Sequence, residues 1–537
     1  MFYICAVIIA VALFYLLKYK VKLSTPIAAI SSVIVASVPF FNNTIAIEFI
    51  AKYLDLILSI VAAVALFALL KYVLKRPMSF SIVAAAFVLI MLNISVIKPA
   101  LETVGATIGT NTVLGIAAVL MLVLLFLKVP VFIAVFCASM LYFLFNPGIN
   151  QIVFGQKGVL GTESASLLAI PFFVCAGVFM NYSGVTSRIM NFCSAVTGRM
   201  PGGLAQVNVL LSTLMGGLSG SNLADAAMEA KMLVPEMEKQ GFSREFSSVV
   251  TAASAMITPL IPPGIAMILY GCIANVSIGK LFMSGITVGG TLCIAMMILV
   301  HFISIRRGYK PLRTEKLGGK GFWDCLRPAL LPLMLPIIII GGIRLGIFTA
   351  TEAGSVAILY AVLLGLIYRE LNGKLILQAC KETITTTAGI MLIVSAASVF
   401  SWVLTKERIP QQLTAWIVSI CPNKYLFLIA VNIFVLIVGM FIEGNATMIV
   451  LVPLLAPIAA QYGINEIQFA MIYIFNNAIG ALSPPMGTLM FVVCGVTGCK
   501  TKSFIKEAVP FYVMLLIVLL LLTFCPPVTT AIVDLLY

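Results

Sequence analysis

The chain is 537 residues long, 62% hydrophobic and 10% charged, whereas ordinary soluble domains carry roughly 25% charged residues. A water-soluble fold is excluded, and the sequence reads as a polytopic all-α membrane protein. Lysine and arginine number 33 against 19 acidic residues, a net charge of +14. The basic residues stand in short clusters between apolar runs, which is how cytoplasmic loops of membrane proteins look and argues against a nucleic-acid partner.

From the N-terminus, apolar runs at roughly 2–17, 25–41, 55–72 and 80–97 make residues 1–100 a four-helix accessory unit. The first run lacks a basic leader and a small-residue cleavage site, so it is expected to be a retained membrane segment. A Gly/Thr-rich stretch at 105–112 separates this block from a first half, 113–305. A basic linker at 306–326, carrying Arg306, Arg307, Lys310, Arg313, Lys316 and Lys320, is expected to be cytoplasmic, and a second half spans 327–537. The one histidine, His301, lies at a membrane boundary beside that linker, so a His-paired zinc site is ruled out. The 12 cysteines include no C-x-x-C pair, no P-loop motif is present, and Gly217–Ser221 lacks the second glycine of a nucleophile elbow. The chain is therefore not expected to be an enzyme.

The two halves share a register. Adding 222 to Gly217, Pro235, Gly241, Pro262, Pro263, Lys280 and Phe282 gives Gly439, Pro457, Gly463, Pro484, Pro485, Lys502 and Phe504. Glycine and proline mark where a backbone bends, so identities at one offset indicate an internal duplication. Repeats of inverted topology with broken helices at their interface are the expected arrangement.

Each half contains two segments too rich in Gly, Pro and small polar residues for uninterrupted helices: Gly216–Asp225 with Thr258–Gly264, and Gly439–Thr447 with Gly480–Gly487. Each pair reads as a re-entrant hairpin tip facing an unwound helix. Irregular backbone at membrane depth survives only where it lines a cavity or binds something. Pro259, Pro262 and Pro263 free carbonyls one turn earlier, and with Ser219, Ser221, Thr258 and Ile261 they would cage a hard monovalent cation such as Na⁺. The offset gives a twin cage at Phe441, Glu443, Gly480, Ser483 and Pro485, where a carboxylate replaces a hydroxyl. Hairpin tips also present helix N-termini, which attract carboxylates. An anionic substrate is accordingly expected between them, at Ser221, Asn222, Asp225 and Gly264 of one half and Gly444, Asn445, Thr447 and Thr488 of the other. Asp225 and Glu443 are costly inside a membrane and so point to function, although Asp225 serves equally well as a brace of its own hairpin.

At these residues the sequence resembles the large membrane subunit, the DctM family, of tripartite ATP-independent periplasmic (TRAP) transporters. The resemblance is carried by Gly202–Val209, Ser219–Ala227, Thr251–Ser254, Pro262–Gly264, Gly341–Ala353, Gly439–Phe441 and Ser483–Gly487, over about 113–535. It implies a Na⁺-driven importer of organic anions, C4-dicarboxylates or sialic and other sugar acids, with Na⁺ as coupling ion and no cofactor. It also implies a bacterial inner membrane, an extracytoplasmic solute-binding protein, an elevator mechanism, and a four-helix Q-type subunit, either separate or, given the four apolar runs, fused as residues 1–100. No Q-type signature is legible there. A proton-coupled or binding-protein-independent carrier of the same fold is the alternative. The family usually places Asp at the position of Glu443 and Gly near Thr258. Arg344 is expected at the periplasmic side, as an interfacial anchor or a contact for the binding protein.

Overall fold

The computed structural model describes residues 103, 107–127, 129–146, 149–150, 152–315 and 318–537. The expected four-helix unit at 1–100 lies outside the described residues, as does Lys316 of the linker. The chain divides into two compact units at Lys157/Gly158.

The described part of the first unit holds α1 (Thr110–Phe126) and α2 (Val131–Phe145), packed against each other; α3 (Ile152–Leu160) crosses the division. The second unit continues with α4 (Ala169–Tyr182), α5 (Val185–Thr197), α6 (Gly203–Ser219), α7 (Asn222–Lys239) and α8 (Arg244–Ser254). A 3-10 turn at Thr258–Leu260 leads to α9 (Ile265–Ala274), α10 (Ile278–Arg307), α11 (Gly319–Arg344), α12 (Ala350–Ile367) and α13 (Gly373–Lys406). The chain then forms α14 (Ile409–Ile420), α15 (Lys424–Phe441), α16 (Gly444–Gln461), α17 (Glu466–Leu482), α18 (Thr488–Thr497), α19 (Thr501–Phe524) and α20 (Pro527–Leu536). Among the described residues every regular element is helical, and eight helices are long and apolar enough to cross a bilayer.

The 222-residue offset holds at the level of helix ends. Shifting α6 and α7 gives 425–441 and 444–461, against observed bounds of 424–441 and 444–461 for α15 and α16. Shifting α9 gives 487–496, against 488–497 for α18. The turns agree too, since Gly241 and Gly463 both have left-handed φ, +88° and +67°. Each half also carries a cis Pro–Pro bond, at Pro262–Pro263 and Pro484–Pro485.

One departure has a single-residue cause. In the first half the regular helix stops at Ser254 and α9 resumes at a 43° bend, whereas α17 runs on to Leu482. The position equivalent to Pro259 is Ala481, which keeps the N–H that a helix needs and that proline lacks.

Prolines elsewhere free carbonyls that side chains then satisfy. Within α11, Pro332 cannot donate to the carbonyl of Pro328, and the Tyr368 hydroxyl does so instead at 2.9 Å. At the end of α19, Pro526 and Pro527 leave the carbonyls of Leu522 and Thr523 without helical donors. The buried Gln468 amide donates to both, at 3.2 and 3.1 Å. Such pairing is what lets prolines persist where there is no water to take the freed group.

Candidate functional site: the two hairpin tips

The first tip is built on one glycine. α6 ends at Ser219, Gly220 takes φ +65°, and Ser221 is the N-cap of α7. A Cβ at Gly220 would lie 2.8 Å from the carbonyl oxygen of Pro263, so close approach and left-handed φ both demand glycine. On the other side, a Cβ on Gly177 of α4 would lie 2.6 Å from the Ser219 carbonyl oxygen. The tip is thus wedged between α4 and the unwound segment, whose Ile265 N–H donates to the Gly220 carbonyl at 3.4 Å.

Behind the tip lies a polar knot. Asp225 is fully buried, and its Oδ2 accepts hydrogen bonds from Ser219 Oγ at 2.5 Å and Thr258 Oγ1 at 3.1 Å. One turn on, the equally buried Glu229 accepts from Ser212 Oγ at 2.6 Å, and Ser212 Oγ in turn meets Ser254 Oγ at 2.9 Å. These bonds tie α6, α7, α8 and the 3-10 turn into one block. The equivalents of Ser212, Asp225 and Glu229 in the second half are Phe434, Thr447 and Leu451, so only the first half carries this knot.

The second tip uses different chemistry. Ile442 occupies the position of Gly220 with an extended φ of −116°, and Glu443 caps α16 by accepting from the Ala446 N–H at 3.2 Å. Asn477 of α17 donates to the Gly444 carbonyl at 2.9 Å, and Thr447 Oγ1 donates to the Glu443 carbonyl at 2.9 Å. Gly439 and Gly480 allow α15 and α17 to touch backbone to backbone, since a Cβ on Gly480 would lie 2.7 Å from Gly439 Cα.

The two tips share two cavities. One, of about 50 Å³, is lined by Asn222, Leu223, Glu443, Gly444, Asn445 and Thr488 among others. The other, of about 140 Å³, adds Ser219, Ser221 and, from α4 and α13, Asn181, Glu382 and Thr386. Neither is lined by Lys, Arg or His. Positive potential there comes from the N-terminal ends of α7 and α16.

The structure therefore brings Ser219, Ser221, Asn222, Glu443, Gly444, Asn445 and Thr488 to these cavities. Asp225, Thr258 and Thr447 are buried away from them, with Asp225 acting as the brace of its hairpin. Gly264 does not line either cavity, although its neighbours Ile265 and Ala266 do. Ile261 packs against Gly289, the Pro263 carbonyl faces Gly220, and Gly480 sits in the α15–α17 contact. Ser483 donates back to the Ile479 carbonyl at 2.7 Å, and Pro485 is exposed. Sequence reasoning missed Asn477, Asn181, Glu382 and the buried Glu229. The signal for Asn477 was present, as two asparagines interrupt the apolar run Ile474-Phe-Asn-Asn-Ala-Ile479.

Two broken-helix hairpins, related by an internal repeat and facing shared cavities within a multi-span helical protein, define a membrane transporter rather than an enzyme. The family model described as "Tripartite ATP-independent periplasmic transporter, DctM component" matches residues 118–528, and the chain belongs to that family. The sialic acid TRAP transporter large permease protein SiaM of Vibrio cholerae is 38% identical over 77% of this chain and 96% of its own length. The SiaT permease of Haemophilus influenzae is 34% identical over 80% of this chain and 69% of its own length. The C4-dicarboxylate large permease DctM of Pseudomonas aeruginosa is 35% identical over 69% of this chain and 86% of its own length. The chain is accordingly a multi-pass transporter subunit of a bacterial inner membrane.

Proposed function

We propose that the protein is the large permease of a Na⁺-coupled importer of organic anions, supplied by an extracytoplasmic solute-binding protein. The observation that carries this reading is the convergence of two helix N-termini, at Asn222 and Gly444, on cavities that also hold Ser219, Ser221 and Glu443. The N-termini suit a carboxylate. The hydroxyls, freed carbonyls and Glu443 carboxylate suit Na⁺. Relatives named for sialic acid and for C4-dicarboxylates set the range of substrates.

In this reading Na⁺ settles at the Gly220 and Ile442 turns first and fixes the tips, and the anion then binds between ordered helix ends. Coupling follows because both ligands favour the same tip conformation. The repeats have inverted topology, and the block of hairpins moves as an elevator against the remaining helices. A small Q-type membrane subunit, or residues 1–100 in its place, widens the stationary part.

The test is uptake into proteoliposomes holding the full chain, its Q-type partner if one is encoded, and the adjacent solute-binding protein. Uptake of N-acetylneuraminate or succinate is expected to follow an inward Na⁺ gradient and to collapse with a Na⁺ ionophore. Uptake that ignores Na⁺ and follows a proton gradient would overturn the coupling, and anion uptake without the binding protein would overturn the tripartite reading.

A further inference from the structure

Beyond the tips themselves, the larger cavity has a second wall that the repeat does not require. It is formed by Asn181 on α4 and by Glu382 and Thr386 on α13. The positions 222 residues away from Asn181 and Glu382 are Val403 and Leu160, both apolar, so these polar groups are not repeated in the other half. Glu382 is exposed and Asn181 half-buried, and what points to a ligand is that both line a cavity shared with the tips.

The wall is rich in acceptors. The Asn181 Oδ1 atom is buried and has no hydrogen-bond partner. Glu382 accepts from the Tyr182 hydroxyl at 2.9 Å, which fixes its position, and a carboxylate offers acceptors only. The opposite side supplies helix N-termini, backbone donors and Asn222, and no basic side chain lines either cavity. One carboxylate of a substrate thus finds a favourable place at the tips. A second carboxylate, extending toward α13, would meet Glu382 with no basic side chain in the cavity lining, whereas hydroxyl groups would give Asn181 Oδ1 the donor it lacks and Glu382 a donor beside Tyr182.

We propose that Asn181 and Glu382 select the substrate class: a monocarboxylate carrying several hydroxyl groups, in preference to a dicarboxylate. This rests on the anion-binding reading of the tips given above. It assigns the two side chains to specificity, with the carboxylate held elsewhere.

The full chain, purified in detergent with saturating NaCl, is tested for binding of N-acetylneuraminate, D-gluconate and succinate by thermal shift and titration calorimetry. At least one hydroxylated acid is expected to bind about tenfold or more tighter than succinate, a ratio in keeping with sites that hydrogen-bond a substrate hydroxyl. Asn181→Leu is expected to weaken the hydroxylated acid by about tenfold, and Glu382→Gln to narrow the ratio by improving succinate. A cooperative melt close to that of the parent and a single size-exclusion peak identify variants that are folded, and Asn181→Ser replaces Asn181→Leu if the latter is not. Equal binding of succinate and the hydroxylated acids, or ratios unmoved in folded variants, overturns the assignment of the wall while leaving the anion site intact. Binding of none of the three overturns the anion site at the tips, and the assignment with it.

Discussion

At the scale of single residues, the two carboxylates singled out in the sequence have separate fates. Asp225 is buried behind its tip and holds two hydroxyls, while Glu443 caps α16 and lines both cavities. Only the second is placed to meet a cation entering from the cavity. Replacing Glu443 with Gln is expected to raise the Na⁺ concentration needed for half-maximal stabilisation by about tenfold or more, since a bond to a charged group contributes roughly 1.5–3 kcal/mol. Glu443→Asp, the side chain usual in the family, is expected to stay close to the parent. A Na⁺ titration followed by melting temperature reads both, and an unchanged Gln variant removes Glu443 from the proposed cation site. The tips were legible because Gly, Pro and Ser cluster there against an apolar background. Asn181, Glu382 and Glu229 were not, because each stands among other polar residues, such as Lys381 and Thr383 beside Glu382 and Asp225 and Lys231 near Glu229, and nothing in their spacing tells a cavity wall from a solvated face or a buried knot.

Between elements, the duplication predicts where helices start and stop, and local chemistry decides where the copies differ. Pro259 shortens its helix and Ala481 does not; Gly220 turns left-handed and Ile442 stays extended. The second half depends instead on the Gly439–Gly480 contact between α15 and α17. Gly480→Ala places a methyl group 2.7 Å from a backbone atom, and overpacking of this kind costs about 1–3 kcal/mol. A lowered midpoint in chemical denaturation of the detergent-solubilised protein is the expected outcome. Gly495→Ala, with open space around its Cβ position, serves as the control. Equal midpoints for the two variants would show that α15 and α17 do not touch as described.

For the whole molecule, the charge of +14 is expected to record orientation, with the linker after α10 in the cytoplasm. The linker after α10 is fastened to the protein at its start. Arg307 Nη1 pairs with Glu507 Oε1 at 2.6 Å, and the Tyr309 ring packs on Phe242 with centroids 4.3 Å apart. Trypsin is expected to cut within residues 306–326 in inside-out vesicles and to leave them intact in right-side-out vesicles, because translocating so many Lys and Arg residues is disfavoured. Cleavage from the outer face alone would reverse the assigned topology. The amino-acid order by itself determined the all-helical membrane class, the 222-residue repeat and the hairpin positions, since each depends on composition and spacing along the chain. Only the tertiary structure decided which acids face a cavity, which prolines have their carbonyls satisfied by Tyr368 and Gln468, and which helices approach closely enough to add a wall of Asn181 and Glu382. Those outcomes depend on contacts between residues that lie far apart in the sequence, some of them 200 positions from one another, and no local pattern encodes which of two apolar faces such a helix turns toward its neighbour.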